Sequence, residues 1–209
     1  MSDGFHLVAL DCPACGAPLA AEAEDVVFYC TACRSGYRYE PAAPRSLAPV
    51  VVSFVAAPTA RDVAGHLPFW LLPARVELLR RDASGALLSG LLSLLGGGEE
   101  RGSTTGEGTF AVPAFRLPVE RAVRLTQRYT YEAPALGELL GDRLTGGLFA
   151  PEDARKLAHF ALISTEAEKS DILKDLEYRI EFGEPRLLGV PWVRRGEGRV
   201  DALFGLALV

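Results

Sequence analysis

The stretch Cys12-Pro13-Ala14-Cys15-Gly16, followed by Cys30-Thr31-Ala32-Cys33, holds every cysteine of the 209-residue chain in a C-x2-C-x14-C-x2-C pattern. Two residues between paired cysteines let the backbone turn sharply, so that both sulfurs and nearby amides converge on one point. Two such turns complete a tetrahedron of thiolates around a metal ion. Pro13 stiffens the first turn, and Gly16, just past its second ligand, permits a positive φ. Arg34-Ser35-Gly36 stands at the corresponding place after the second pair. A disulfide or a redox dithiol is the alternative for a single C-x-x-C, but two pairs at this spacing, with no further cysteine, favour one structural zinc ion. Cys12, Cys15, Cys30 and Cys33 would fill its coordination sphere and leave no open position for water or substrate.

Around the pairs, Ala17–Ala20, Val26–Tyr29 and Gly36–Glu40 read as short strands about an acidic turn at Ala21–Asp25. The CPACG knuckle at Cys12–Gly16, and the less complete CTACR at Cys30–Arg34, resemble the zinc-ribbon group of proteins. The likeness extends over about residues 8 to 42. It implies a ribbon used for protein contacts, nucleic-acid machinery or structural capping, and it is similar to bacterial chains in which such a ribbon precedes a β-rich body of unknown function.

Expected, then, is a zinc ribbon over residues 1–42, a linker at Glu40–Arg45 and an α+β body over 47–209 built on a mainly antiparallel sheet with a few helices. The body is long enough to bury its own core. Residues 1 to 46 contain three arginines (Arg34, Arg38, Arg45) against six acids (Asp3, Asp11, Glu22, Glu24, Asp25, Glu40), a local charge of -3 within a chain of net charge -5. A ribbon that grips a phosphate backbone would be basic, so direct nucleic-acid binding is not expected. The start, Met1-Ser2-Asp3-Gly4-Phe5-His6, has neither the basic nor the apolar part of a signal peptide, and clustered thiols suit a reducing compartment. A cytoplasmic protein is the expectation. Ala86–Leu95 is apolar but too short to span a bilayer; within it, Leu87–Leu95 is either a core helix or a hook for a partner or a membrane surface.

In the body, Val50–Val55 reads as a buried strand. Val123 to Tyr131 alternates apolar and polar residues and reads as a half-buried strand, with Arg124 and Arg128 on one face. Leu176–Phe182 alternates likewise, and strands are expected at Leu187–Val193 and Arg199–Leu208. Helices are expected from Pro151, with an apolar stripe of Ala154, Leu157, Ala158, Ala161 and Leu162, and over Ala135–Leu144. Gly96–Gly108 reads as a surface loop; its G-x4-G at Gly97–Gly102 is not a phosphate-binding loop, because Ser103 stands where a lysine is required. Three segments place proline beside an aromatic, at Leu67-Pro68-Phe69-Trp70, Val112-Pro113-Ala114-Phe115 and Val190-Pro191-Trp192, and suggest a degenerate internal repeat of strand entries.

Catalytic signatures are sparse. Of His6, His66 and His159, only His66 is an acid-base candidate, and His159 reads as a packing residue. Arg116, Arg121, Arg124 and Arg128, with Tyr129 and Tyr131, would line a groove for an anionic ligand or a peptide, or form a solvated face. The leading expectation is a non-enzymatic zinc-binding adaptor with protein partners. A nucleic-acid accessory factor whose ribbon docks on a polymerase, helicase or ribosome comes second, and an enzyme with a pocket in the body third.

Overall fold

The computed structural model describes residues 10–43, 46–56, 63–84, 104–137 and 143–208. The N-terminal cysteine segment folds as a three-stranded antiparallel sheet in the order β1 (Val27–Cys30), β2 (Ser35–Tyr39), β3 (Leu47–Val50). The β-branched run read as one strand from Val50 to Val55 is two strands. β3 closes the first sheet, and one residue later β4 (Val52–Val55) enters a second, larger one. Val51, between them, is exposed, and its carbonyl accepts the Leu187 N–H at 2.8 Å.

The large sheet runs in the order β6 (Thr104–Pro113), β5 (Gly65–Ser84), β9 (Arg186–Arg195), β4, β7 (Leu136–Gly137). β8 (Ile172–Phe182) also pairs with β5, and β10 (Gly198–Asp201) with β9. All pairings are antiparallel except β4 with β9. The 20-residue β5 holds the sheet together: on one side it pairs with β9 over Gly65–Leu71 and then with β8 from Ala74. Pro73 marks the handover, where it can give no N–H, and its carbonyl accepts the Gly183 N–H at 2.8 Å. The expected strands at Leu176–Phe182 and Leu187–Val193 are present within β8 and β9. The last expected strand is shorter, ending at Asp201, where the chain turns.

Alternation along β5 sends its side chains into two cores. Leu67 and Phe69 join Ala111, Leu188, Val190 and Trp192 on one face, covered by Leu125 and Tyr129 of α1 (Val119–Glu132) and by Leu208. Trp70, Leu72 and Ala74 join Phe110, Val112 and Leu187 on the other, covered by Ala154 and Ala158 of α2 (Pro151–Ala167). Trp70 Nε1 donates to the Phe149 carbonyl at 2.8 Å, which satisfies the one polar atom of a fully buried ring.

The three proline-aromatic segments lie side by side in β6, β5 and β9, with Phe69 opposite Pro113 and His66 opposite Pro191. Pro68 opposite Ala114 would leave a carbonyl without its ladder partner. The Ala114 carbonyl instead accepts the Leu148 and Phe149 N–H groups at 2.7 and 3.1 Å.

Three sequence expectations are corrected. Residues 123 to 131 are not a strand but the core of α1: the buried set Ala122, Val123, Leu125, Thr126 and Tyr129 has helical spacing, and Glu120 sits in the first turn after Pro118. Ala135–Leu144 forms no helix among its described residues, since Leu136–Gly137 pairs with β4 and Leu144 bridges to His66. Of the expected glycine loop, residues 104–108 are strand, laddered to Ala74–Leu78 of β5. The remainder of that loop and Leu87–Leu95 lie outside the described residues. The helix expected from Pro151 is α2, with Pro151 in its first turn and acidic Glu152 and Asp153 beside it.

Candidate metal centre

The hairpin register decides which side chains meet the cysteines. Cys30 lies opposite Ser35 and Phe28 opposite Tyr37, so these four share one face of the first sheet with Cys12, Leu19 and Leu47. The alternate residues, Val27 and Tyr29, point the other way. The first knuckle is held by the Cys12 N–H to the Ala17 carbonyl at 2.8 Å and the Gly16 N–H to the Cys12 carbonyl at 2.9 Å, the second by the Arg34 N–H to the Cys30 carbonyl at 2.7 Å. Gly16 and Arg34 occupy equivalent positions with φ of 73° and 61°. The second knuckle thus makes the same turn without a glycine, at a conformational cost that only a preserved turn geometry requires.

The four Sγ atoms of Cys12, Cys15, Cys30 and Cys33 all lie within 4.8 Å of one another. Cys12 and Cys33 lie 3.5 Å apart and Cys15 and Cys30 3.6 Å apart, and none of the four is disulfide-bonded. A tetrahedral centre with metal–sulfur bonds of about 2.3 Å has edges of about 3.8 Å, so the cluster fits a metal ion with little movement. Cys12 and Cys30 are buried, whereas Cys15 and Cys33 face solvent.

Two residues outside the cysteine pattern complete the surroundings. The Tyr37 hydroxyl lies 3.4 Å from Cys12 Sγ and the Ser35 hydroxyl 3.3 Å from Cys33 Sγ. Burial works against a Cys12 thiolate, but the Tyr37 hydroxyl and the Cys15 and Ala14 amides outweigh it and bring this thiol down to about 6. At Cys15 the Ala17 amide favours ionisation, yet the neighbouring Cys30 sulfur, burial and the other two thiols hold the group up at about 12. Burial and the Cys12 sulfur raise Tyr37 to about 12, so it remains a donor. The period-two pattern Ser35-Gly36-Tyr37 contained the signal for these partners, once Cys30 and Ser35 were known to be opposite.

No family model, curated relative or solved structure matches this chain. The setting of the four cysteines is defined by β1.

That setting is unusual in one respect: β1 is buried along its whole length, on both faces. Phe28 and Cys30 face the cysteine cluster, while Val27, with no exposed surface, packs in the core of Trp70, Leu72 and Ala154. Tyr29 packs on Phe54 with ring centroids 5.7 Å apart. Val26 and Val27 donate to the Gly147 carbonyl at 2.7 and 3.1 Å, and the Gly147 N–H returns to the Val27 carbonyl at 3.3 Å. Gly36 must be glycine for the same reason: a Cβ there would collide with the Val52 side chain. The cysteine cluster and the body are two sides of one strand.

The remaining sequence candidates are dispersed. His66 is buried, edge-on to Phe54 at 5.0 Å, and its Nδ1 has no hydrogen-bond partner. Burial lowers its pKa, against a hydrogen bond to the Arg143 backbone, and keeps the ring neutral. His159 packs against Tyr178 and Phe182, with Nδ1 3.1 Å from the Tyr178 hydroxyl. Arg121, Arg124 and Arg128 lie on one exposed stripe of α1, where Arg128 pairs with Glu132 at 2.7 Å and stacks over Phe204. Arg116 pairs with Glu24 at 2.8 Å, an exposed link between the two sheets. Tyr129 is absent from that stripe: its hydroxyl donates to the buried Asp201 carboxylate at 2.8 Å, which also accepts the Leu203, Phe204 and Leu206 N–H groups. Among the described residues no helix is long and apolar enough to cross a membrane.

Proposed function

We propose that the chain is a non-enzymatic zinc protein whose N-terminal ribbon, fixed by one structural zinc ion on Cys12, Cys15, Cys30 and Cys33, presents its knuckles to protein partners. Four thiolates suit zinc by softness and by tetrahedral preference, and they close its coordination sphere. Bound there, zinc supplies a rigid crosslink between the knuckles. The observation that carries the reading is the burial of β1 on both faces, which fixes the ribbon against the body while Pro13, Ala14, Thr31 and Ala32 at the knuckle tips remain exposed. Small, rigid, uncharged tips on a fixed base are suited to protein contact, because little side-chain entropy is lost on binding.

Two measurements test this. Purified protein should contain about one equivalent of zinc, and less than about half an equivalent would defeat the assignment. Ala14→Glu combined with Ala32→Glu places charge on the tips without touching a buried side chain. Partners crosslinked to the wild-type protein in native cells should be lost from this variant, and an unchanged set would refute the role of the knuckles. Deleting the ribbon is a poorer test, because it strips Val27 from the body core.

A further inference from the structure

β6 ends the large sheet, and its register shows what its outer edge offers. Phe69 lies opposite Pro113, so Pro68 faces Ala114, and the Ala114 N–H donates to the Pro68 carbonyl at 2.9 Å. Hydrogen-bonded pairs alternate along an antiparallel ladder, so even-numbered residues of β6 bond to β5. Thr105, Glu107, Thr109 and Ala111 therefore direct N–H and C=O away from the sheet. The Ala111 N–H is satisfied by Thr130 Oγ1 of α1 at 3.1 Å. Helix α1 covers the edge to that point, and beyond it no group among the described residues takes the outward amides of Thr105, Glu107 and Thr109.

Beside this edge lies a groove of about 420 Å³, bounded by Gly106, Gly108, Phe110 and Val76 of the sheet and by Tyr131 and Leu162 of the helices. A Cβ on Gly106 or Gly108 would meet nothing within 4 Å. No neighbour among the described residues therefore requires glycine there. Glycine inside a strand weakens it and occurs where another backbone comes close.

We propose that the β6 edge from Thr105 to Thr109 binds an extended segment of another protein by strand addition, with apolar side chains at alternate positions entering the groove and basic or hydroxyl side chains between them. This rests on the protein-interaction reading above and names the class of partner. Successive residues of an added strand point to opposite faces, so residues i and i+2 reach the apolar groove while the one between lies on the Glu107 side. The exposed Glu107 carboxylate favours a basic or hydroxyl-bearing neighbour there. A second copy of β6 is a poor occupant. Pairing about Glu107 sets two carboxylates opposite each other and glycine against glycine, leaving the groove unfilled.

The test uses full-length, zinc-loaded protein to select from a phage-displayed library of random heptapeptides, followed by anisotropy titration of the enriched sequences as labelled peptides. Enrichment of alternating apolar and basic or hydroxyl residues is expected. Glu107→Pro removes an outward N–H and no ladder bond, and Gly108→Val fills the groove while improving strand propensity. Each should weaken peptide binding at least about tenfold, and Gly108→Val should do so with an unchanged or raised melting temperature. No enrichment, enrichment without alternation, or wild-type affinity in either variant overturns the proposal. So does a dimer in sedimentation that Glu107→Pro abolishes, binding that requires removal of residues 86–95, or a groove that takes only the dye anilinonaphthalene sulfonate. Partners that depend on Ala14 and Ala32 but not on Glu107 or Gly108 would leave the ribbon reading standing while this one fails.

Discussion

Replacing Val27 by alanine removes two methyl groups from a side chain with no exposed surface, packed among Trp70, Leu72 and Ala154. Each buried methyl contributes about 0.8 kcal/mol by transfer, and the cavity left between a strand and a sheet that are both pinned adds to it, for a loss of about 2–3 kcal/mol. Both tryptophans, Trp70 and Trp192, lie in the body cores, so their fluorescence reports unfolding of the body and not of the cysteine knuckles. With a urea m-value of about 2–3 kcal/mol/M, the midpoint of the zinc-loaded protein should fall by about 1 M. The knuckle hydrogen bonds and the four sulfurs are untouched by the substitution, so on the proposed assignment the zinc content should match that of the wild type. A tryptophan midpoint that moves by less than about 0.2 M would refute the reasoning, because it would mean that the body folds without regard to β1. Chelating the metal offers the reciprocal perturbation, and it too should lower the tryptophan transition if β1 transmits stability in both directions.

Arg34→Gly relieves the left-handed backbone of the second knuckle and should raise stability by about 0.5–1 kcal/mol, seen as slower zinc loss to a chelator; faster loss would show that the Arg34 side chain matters more than its backbone. Tyr129→Phe leaves the Asp201 carboxylate with its backbone donors only and should cost about 1–2 kcal/mol in urea unfolding. Burial and the nearby Asp201 hold the Tyr129 phenol above its ordinary pKa. Above about pH 10 the unfolded chain loses this proton while the folded one keeps it, so wild-type stability should fall there more steeply than that of Tyr129→Phe, and parallel pH profiles would contradict this. His66 has the opposite sign relation. Its folded pKa is depressed by burial, so as pH falls below about 6.5 the unfolded state gains a proton that the folded state does not. The acid limb of a stability profile should be shallower in His66→Leu, and an unchanged limb would show that the ring titrates freely in the fold.

The cysteine cluster was legible because two C-x-x-C pairs constrain geometry locally, and α2 because proline, two acids and an alanine stripe agree on one period. α1 was misread for a physical reason. Its sequence Val-Arg-Leu-Thr-Gln-Arg-Tyr-Thr-Tyr largely alternates polar and apolar residues and is rich in β-branched and aromatic types, and the breaks in favour of helix, buried Ala122 and Thr126 with exposed Tyr131, show only in the fold. Residues 104–108 were misread from their glycines, whose place in a strand is visible only against Ala74–Leu78 across the ladder. The division of Val50–Val55 between two sheets was hidden because a continuous apolar run carries no mark of where its hydrogen-bond partners change. Docking of the ribbon through Val27 and Tyr29 had no local signal at all, since its counterpart, Gly147, lies far along the chain.

That separation has a consequence for how the molecule is made. Every partner that β1 needs on its cysteine face lies within the first 50 residues, whereas Gly147, which pairs with Val27, follows about a hundred residues later. At about 5–20 residues per second that is a delay of about 5–20 s, far longer than a short hairpin takes to form. The cysteine-bearing sheet can close during this interval with Val27 and Tyr29 still bare, and the nascent body then meets a preformed apolar strip against which to assemble. On the proposed zinc assignment, a chain starved of zinc during translation would lose that template at the start, and the defect should appear as a lower yield of folded body even when metal is restored afterwards.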